Sequence, residues 1–187
     1  MAEQRLIVGI SGASGAPVAV ALLKALKETE IETHVIVTQG GALTLRQECG
    51  VDGVAELADV VYDNRDIGAA PASGSFRTMG MLVIPCSMKT VAGICSGYSD
   101  NLLLRAADVT LKERRKLVLV ARETPLSTIH LRNLYDLSGM GAVILPPMLS
   151  YYQNPKTLAE ATNHIVGKVL DQFGIDAPEF CRWEGLV

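Results

Sequence analysis

Two turns of small and hydroxyl residues stand where an apolar strand hands over to a helix, and both suit an anion. The first, Ser11-Gly12-Ala13-Ser14-Gly15, follows the run Leu6–Ile10. Its backbone N–H groups and the hydroxyls of Ser11 and Ser14 fit a phosphate or the edge of a cofactor ring. The same residues also read as a tight turn with Ser14 as a plain N-cap. The glycines Gly9, Gly12 and Gly15 give G-x-x-G-x-x-G rather than G-x-G-x-x-G, so no dinucleotide fingerprint is present. Ala16 stands where a hydrolase nucleophile elbow needs glycine. The second turn is Pro85-Cys86-Ser87-Met88-Lys89-Thr90, with Ser87 as a natural N-cap and Lys89 in the first helical turn. A cation there opposes the helix dipole by roughly a few tenths of a kcal/mol, and an anionic ligand reverses the sign.

Cations and hydroxyls further on extend the same chemistry. Arg105 and Lys112 are seven positions apart and share one face of a predicted helix. Arg122-Glu123 follows the strand run Leu117–Ala121, and a guanidinium there suits bidentate phosphate contact or an ion-pair network across a subunit seam. The segment Pro146–Pro155 carries Tyr151 and Tyr152. It reads either as a proline-punctuated loop with core tyrosines or as a hydroxyl closing a phosphate pocket. Arg114, Arg115 and Lys116 read as a solvated helix end, with cations near the C-terminal dipole.

These residues must be positioned by alternating strands and helices. Near-continuous apolar runs predict strands at Leu6–Ile10, Thr33–Thr38, Met81–Pro85, Leu117–Ala121 and Ala142–Leu145. Helical patterns fall at Ala16–Lys27, Ala42–Glu48, Lys89–Ser96, Asn101–Lys112, Thr128–Leu137 and Pro155–Phe173. The alternation implies a single α/β domain over residues 1–187 with a doubly wound, mostly parallel sheet, whose ligands bind beyond the strands' carboxyl ends. The small-residue stretch Ile67–Ser75 has neither period and reads as a functional or mobile loop. Residues 176–187 read as an irregular tail that must dock Phe180 and Trp183.

Composition narrows the function classes. The 187 residues are 49% hydrophobic and 20% charged, with a mean hydropathy of +0.26. That apolar surplus points to strands buried on both faces and to subunit interfaces, hence a homo-oligomer. A net charge of −3 provides no basic field for nucleic acid or an anionic membrane surface. The four cysteines and three histidines have no metal-site spacing, and the histidines lie apart from acidic partners in the sequence. The first residues lack a signal-peptide pattern, and no apolar run reaches the ~20 residues that span a bilayer, which predicts a cytoplasmic protein with reduced thiols.

Taken in order, these stretches resemble the flavin prenyltransferase family, the UbiX/Pad-type proteins, close to the variants associated with non-oxidative hydroxyarylic acid decarboxylases. The resemblance is carried by Leu6–Ala16, Ala72–Phe76, Pro85–Thr90, Arg105–Val109, Leu111–Arg115, Arg122–Leu126 and Tyr151-Tyr152. It implies a Rossmann-like flavoprotein fold and a metal-independent transfer of a dimethylallyl group from dimethylallyl phosphate to N5 and C6 of reduced FMN. The prenylated FMN would serve a UbiD-type decarboxylase, and the assembly would be a dodecamer. Gly12, Ala13, Ser14, Thr38, Ser87, Met88, Lys89, Thr90 and Arg122 would bind FMN. Lys112, Tyr152 and Lys168 would meet the prenyl phosphate, with Arg105 and Glu123 nearby across a subunit boundary. Glu48 with Ser14 would relay the proton shed at C6. Thr38 stands where serine is common and keeps the hydroxyl. Ile67 stands where some members carry a tryptophan, so its π-face is missing here. Two rivals remain: an FMN-binding accessory subunit of an aromatic acid decarboxylase, and a peptidyl or pantothenoyl cysteine decarboxylase. The latter would use a His on the first helix, and none lies between Ala16 and Lys27.

Overall fold

A computed structural model describes residues 4–177, 180, 182, 183 and 185. The strands are β1 (Arg5–Ile10), β2 (Glu32–Val37), β3 (Val60–Asp63), β4 (Gly80–Cys86), β5 (Lys116–Ala121) and β6 (Val143–Ile144). The helices are α1 (Ala16–Lys27), α2 (Gln39–Cys49), α3 (Met88–Cys95), α4 (Leu102–Lys112), α5 (Thr128–Gly139) and α6 (Leu158–Asp171). All strand pairs are parallel, in the order β3-β2-β1-β4-β5-β6. The order reverses direction between β1 and β4, and a ligand crevice opens at such a switch point beyond the carboxyl ends.

The sheet is covered on both faces because successive strand residues alternate between two cores. Leu6, Val8 and Ile10 face α1, α2 and α6, where Leu22, Leu23 and Leu26 are fully buried. Each such leucine contributes about 2 kcal/mol by leaving water. Ile7, Met81, Val83, Leu117 and Leu119 face α3, α4 and α5. Among the described residues no helix is long and apolar enough to cross a membrane.

Four expectations need correction. Strand β3 escaped the sequence reading because it is a sheet edge only four residues long, Val60–Asp63, in which half-buried residues alternate with exposed ones. Helix α2 starts at Gln39 rather than Ala42, since Thr38 caps it by accepting the Gly41 N–H. Glycines are needed in its first turn: a Cβ on Gly40 would sit 3.0 Å from the Gly12 Cα, and one on Gly41 would strike the Ile10 carbonyl oxygen. The segment from 67 to 75 holds a 3-10 turn, Ala70–Ala72. It belongs to the β3-to-β4 connection, where no α-helix forms. Arg115 is not a solvated helix end: its guanidinium donates to the carbonyls of Gly74 and Phe76, both at 2.7 Å, and pins that connection.

Candidate active site

The turns after β1, β2, β4 and β5 meet at the switch point, and their hydrogen bonds form a collar. The Thr38 N–H donates to the Ile10 carbonyl at 2.9 Å, and the Arg122 N–H donates to the Cys86 carbonyl at 3.0 Å. Between β1 and β4 the Ser11 N–H donates to the Pro85 carbonyl at 3.2 Å, and its side chain adds to the link. The Ser11 hydroxyl donates to the Pro85 carbonyl at 2.9 Å and accepts the Ser87 N–H at 2.8 Å. Ser11 is 1% exposed, so this hydroxyl ties turns together and does not face the crevice as its sequence position suggested. Gly12 and Gly40 let two of the turns touch backbone to backbone, since a Cβ on Gly12 would lie 2.9 Å from the Gly40 Cα.

Three helix N-termini open on this collar, and their first amides differ in what they meet. At α1 the N-cap is Gly15, in the left-handed region at φ 119°, not Ser14. The Gly15 and Ala16 N–H groups both donate to Glu48 Oε2 at 2.9 Å, and Pro17 has no N–H. The α1 terminus is therefore already closed by a carboxylate, which removes the phosphate seat that the first turn offered on paper. At α3, Ser11 takes the Ser87 N–H and the Ser87 hydroxyl accepts the Thr90 N–H. The Met88 and Lys89 amides are left facing outward without a partner among the described residues. At α2 the same reckoning leaves Gln39 and Gly40.

Burial around Glu48 pushes its carboxyl up, but hydrogen bonds from Gly15, the Ser14 hydroxyl and Ala16 outweigh it, helped by the Arg122 charge. The net result holds Glu48 below the usual carboxylate range, so it is an anion at neutral pH. Ser14, Glu48 and Arg122 are thus brought together by elements far apart in the chain. Thr90, by contrast, is 3% exposed and bonded to Ser87, so it supports the cap from beneath. Glu123 follows Arg122 on the same rim and accepts the Thr124 N–H at 2.9 Å. No group of three or more His, Cys, Asp or Glu among the described residues is placed to hold a metal ion.

The remaining cations lie elsewhere. Tyr152, in the 3-10 turn Tyr151–Gln153 before α6, lines a cavity of about 540 Å³ with Glu160, Asn163, His164 and Trp183, and Lys168 lies on α6 itself. Asn163 also lines the apolar groove of about 650 Å³ that reaches Glu48, so the two depressions adjoin. Lys112 ends α4 just before β5 begins, which puts it at the amino edge of the sheet, opposite the collar. There it pairs with Glu113. Arg105, one face with Lys112, donates to the Ala72 carbonyl at 3.2 Å and pairs with Asp108 at 2.6 Å. Arg105 and Lys112 therefore both reach the 72–75 loop of their own chain, and among the described residues neither bonds to the collar.

The described part of the C-terminal tail docks on α6, where sequence assigned no role to His164. Its ring lies between Tyr152 and Phe180, at 6.1 and 5.4 Å between centroids, and Trp183 meets Tyr152 edge-on at 5.3 Å. Its Nδ1 is buried without a partner among the described residues. Burial first, then the Lys168 charge, pushes the imidazole below its ordinary value of 6.5. The folded state thus binds this proton less readily than the unfolded chain, so the stabilisation is complete above 6.5 and is lost as pH falls through the folded value. Trp183, the chain's one tryptophan, reports the docking. Its fluorescence should change on acidification below about pH 6.5, and the change should vanish in His164→Phe. A flat trace in the unaltered chain would count against a titrating His164.

Comparison with known proteins gives one consistent answer. Residues 1–174 match the family model described as Flavoprotein. The "Flavin prenyltransferase UbiX" of Escherichia coli (strain K12) is 51% identical over 187 residues, covering 97% of this chain and 99% of its own. The crystal structure of AnUbiX in complex with FMN and dimethylallyl pyrophosphate superposes with a TM-score of 0.97 at 44% identity, covering 99% of this chain and 100% of that one. A dodecameric FMN-dependent UbiX-like decarboxylase from Escherichia coli O157:H7 gives a TM-score of 0.95 at 52% identity, covering 97% and 100%.

Proposed function

The chain belongs to the UbiX-like flavin prenyltransferase family, and on that premise we propose that it joins the dimethylallyl group of dimethylallyl phosphate to N5 and C6 of reduced FMN. The observation that carries the reading is the collar itself. Two helix N-termini with outward amides flank a third that a carboxylate has closed, all at one switch point. The residues fit FMN: the Gly12–Gly40 approach leaves flat backbone for a ring, and the α2 and α3 amides, with Lys89 and Arg122, suit a phosphate.

Bound reduced FMN supplies the nucleophilic ring positions. Gly12, Ala13 and Ser14 orient its ring, Thr38, Ser87, Met88 and Lys89 hold it from the neighbouring turns with Thr90 bracing the cap beneath, and Arg122 closes the rim. Glu48, ionised and held by Ser14, takes the proton that C6 must shed. On the donor side Lys112, Tyr152 and Lys168 neutralise the leaving phosphate, supported by Arg105 and Glu123. Because Lys112 lies at the opposite edge from the collar, and Arg105 is engaged by the Ala72 carbonyl and Asp108, a neighbouring copy supplies them, as in a homo-oligomer like the dodecameric relative. Ile67, 59% exposed, offers no π-face to an allylic cation. The whole chain works as one flavin-binding unit in the cytoplasm, and its product serves a UbiD-type decarboxylase.

The direct test is to incubate the protein anaerobically with reduced FMN and dimethylallyl phosphate and weigh the flavin. A gain of one prenyl unit is expected. Flavin that binds but keeps its mass would leave an FMN-carrying accessory subunit as the better reading.

A further inference from the structure

We propose that Ser11 is a positioning residue that sets the gap between the two halves of the flavin crevice; the proposal rests on the flavin reading above. The β1–β4 ladder stops at Gly9–Val83, and the pairing of β4 with β5 shifts register between Val83 and Cys86, around Pro85. A proline inside a central strand donates no N–H and is tolerated at such an irregularity. The Pro85 carbonyl is turned to Ser11, accepting its N–H at 3.2 Å and its hydroxyl at 2.9 Å. The same hydroxyl accepts the Ser87 N–H at 2.8 Å. The links on either side of this one, Thr38 to Ile10 and Arg122 to Cys86, include backbone bonds that survive any side chain. The β1–β4 link also has a backbone bond, Ser11 N–H to the Pro85 carbonyl, but the Ser87 N–H at the head of α3 is held only by the Ser11 hydroxyl among the described residues, a group 1% exposed and with its own proton committed to Pro85. Ser11 leads directly into Gly12–Ser14, and Ser87 opens α3. The hydroxyl therefore fixes where the Met88 and Lys89 amides stand relative to the turn that meets the ring.

The test compares Ser11→Ala, Ser11→Thr and Ser11→Val in the full chain, reading FMN affinity by flavin fluorescence and, separately, kcat and KM for FMN. The Thr and Val variants add the same volume and differ in the hydroxyl. FMN binding should weaken about tenfold in Ala, and in Val relative to Thr, the equivalent of ~1.4 kcal/mol. The rate at saturating FMN should stay within about twofold, a split between KM and kcat that mere loss of stability does not produce. Equal FMN affinity in the Val and Thr variants would overturn the clamp while leaving the flavin reading intact. Failure of the unaltered chain to bind FMN would overturn both. Should the variants fold poorly, amide hydrogen exchange in the unaltered protein decides: the Ser87 N–H should be protected, and free exchange there would sink the proposal.

Discussion

Lys112→Ala is expected to slow prenyl transfer by about 10²–10³-fold, the scale seen when one charge-stabilising donor is removed, with FMN affinity unchanged. The separation of effects follows from where Lys112 lies. It ends α4 at the amino edge of the sheet, whereas the collar proposed to hold the flavin is at the carboxyl edge. Its charge reaches a donor phosphate only if another copy presents that edge to the collar. Chains carrying Lys112→Ala and chains carrying Glu48→Gln, refolded or co-expressed together, should then recover activity. In a random mixture about a quarter of the interfaces join an intact flavin side to an intact lysine. A mixture no more active than either variant alone would show that Lys112 does not act across an interface.

Glu48→Gln is expected to lower product formation by about 10²–10⁴-fold, the usual contribution of a positioned general base, while FMN and donor still bind. The glutamine keeps an oxygen for the Gly15 and Ala16 amides, so the α1 terminus stays closed and the fold is retained. The charge and basicity are what is lost. The pH dependence has a fixed sign. Since Glu48 is held below its ordinary value of 4.5, it is fully ionised at neutrality, and protonation removes it only as pH falls below 4.5 and through the lowered value. Any acid limb owed to Glu48 therefore lies below 4.5. Ser14→Ala removes one bond to the carboxylate and should cost about tenfold or less. A fully active Glu48→Gln enzyme would remove this residue from the proton step.

Much of this arrangement was legible in the sequence. The runs Leu6–Ile10 and Leu117–Ala121 are too apolar for a half-exposed strand, and both lie in the covered middle of the sheet. The interval of seven between Arg105 and Lys112 placed them on one helix face, and both reach the same loop. What escaped was non-local. Nothing near Ser14 announces that a carboxylate from α2 will fill the α1 terminus and shift the N-cap to Gly15. Ser11 looked like a ligand hydroxyl because its two partners come from β4 and the turn after it. His164 looked isolated because its cage is assembled from a loop before α6 and a tail after it. The edge strand β3 hid because its apolar stretch is short, Val60-Val61-Tyr62 before Asp63, where β1 and β4 run longer.

The absence of an α-helix between β3 and β4 bears on how such a protein can change. Adding or deleting one residue in an α-helix swings everything beyond it by ~100°, so helical connections are locked to a fixed length. The span from Asn64 to Met79 has no such phase to keep. It is fastened at discrete points: Asn64 against the start of α4, and the carbonyls of Ala72, Gly74 and Phe76 against Arg105 and Arg115. Between those rivets its length can drift without turning a strand or unsettling the collar. In the proposed assembly, where this span walls the donor pocket of a neighbouring copy, it can therefore be reshaped for a bulkier alkyl chain while the collar keeps its geometry.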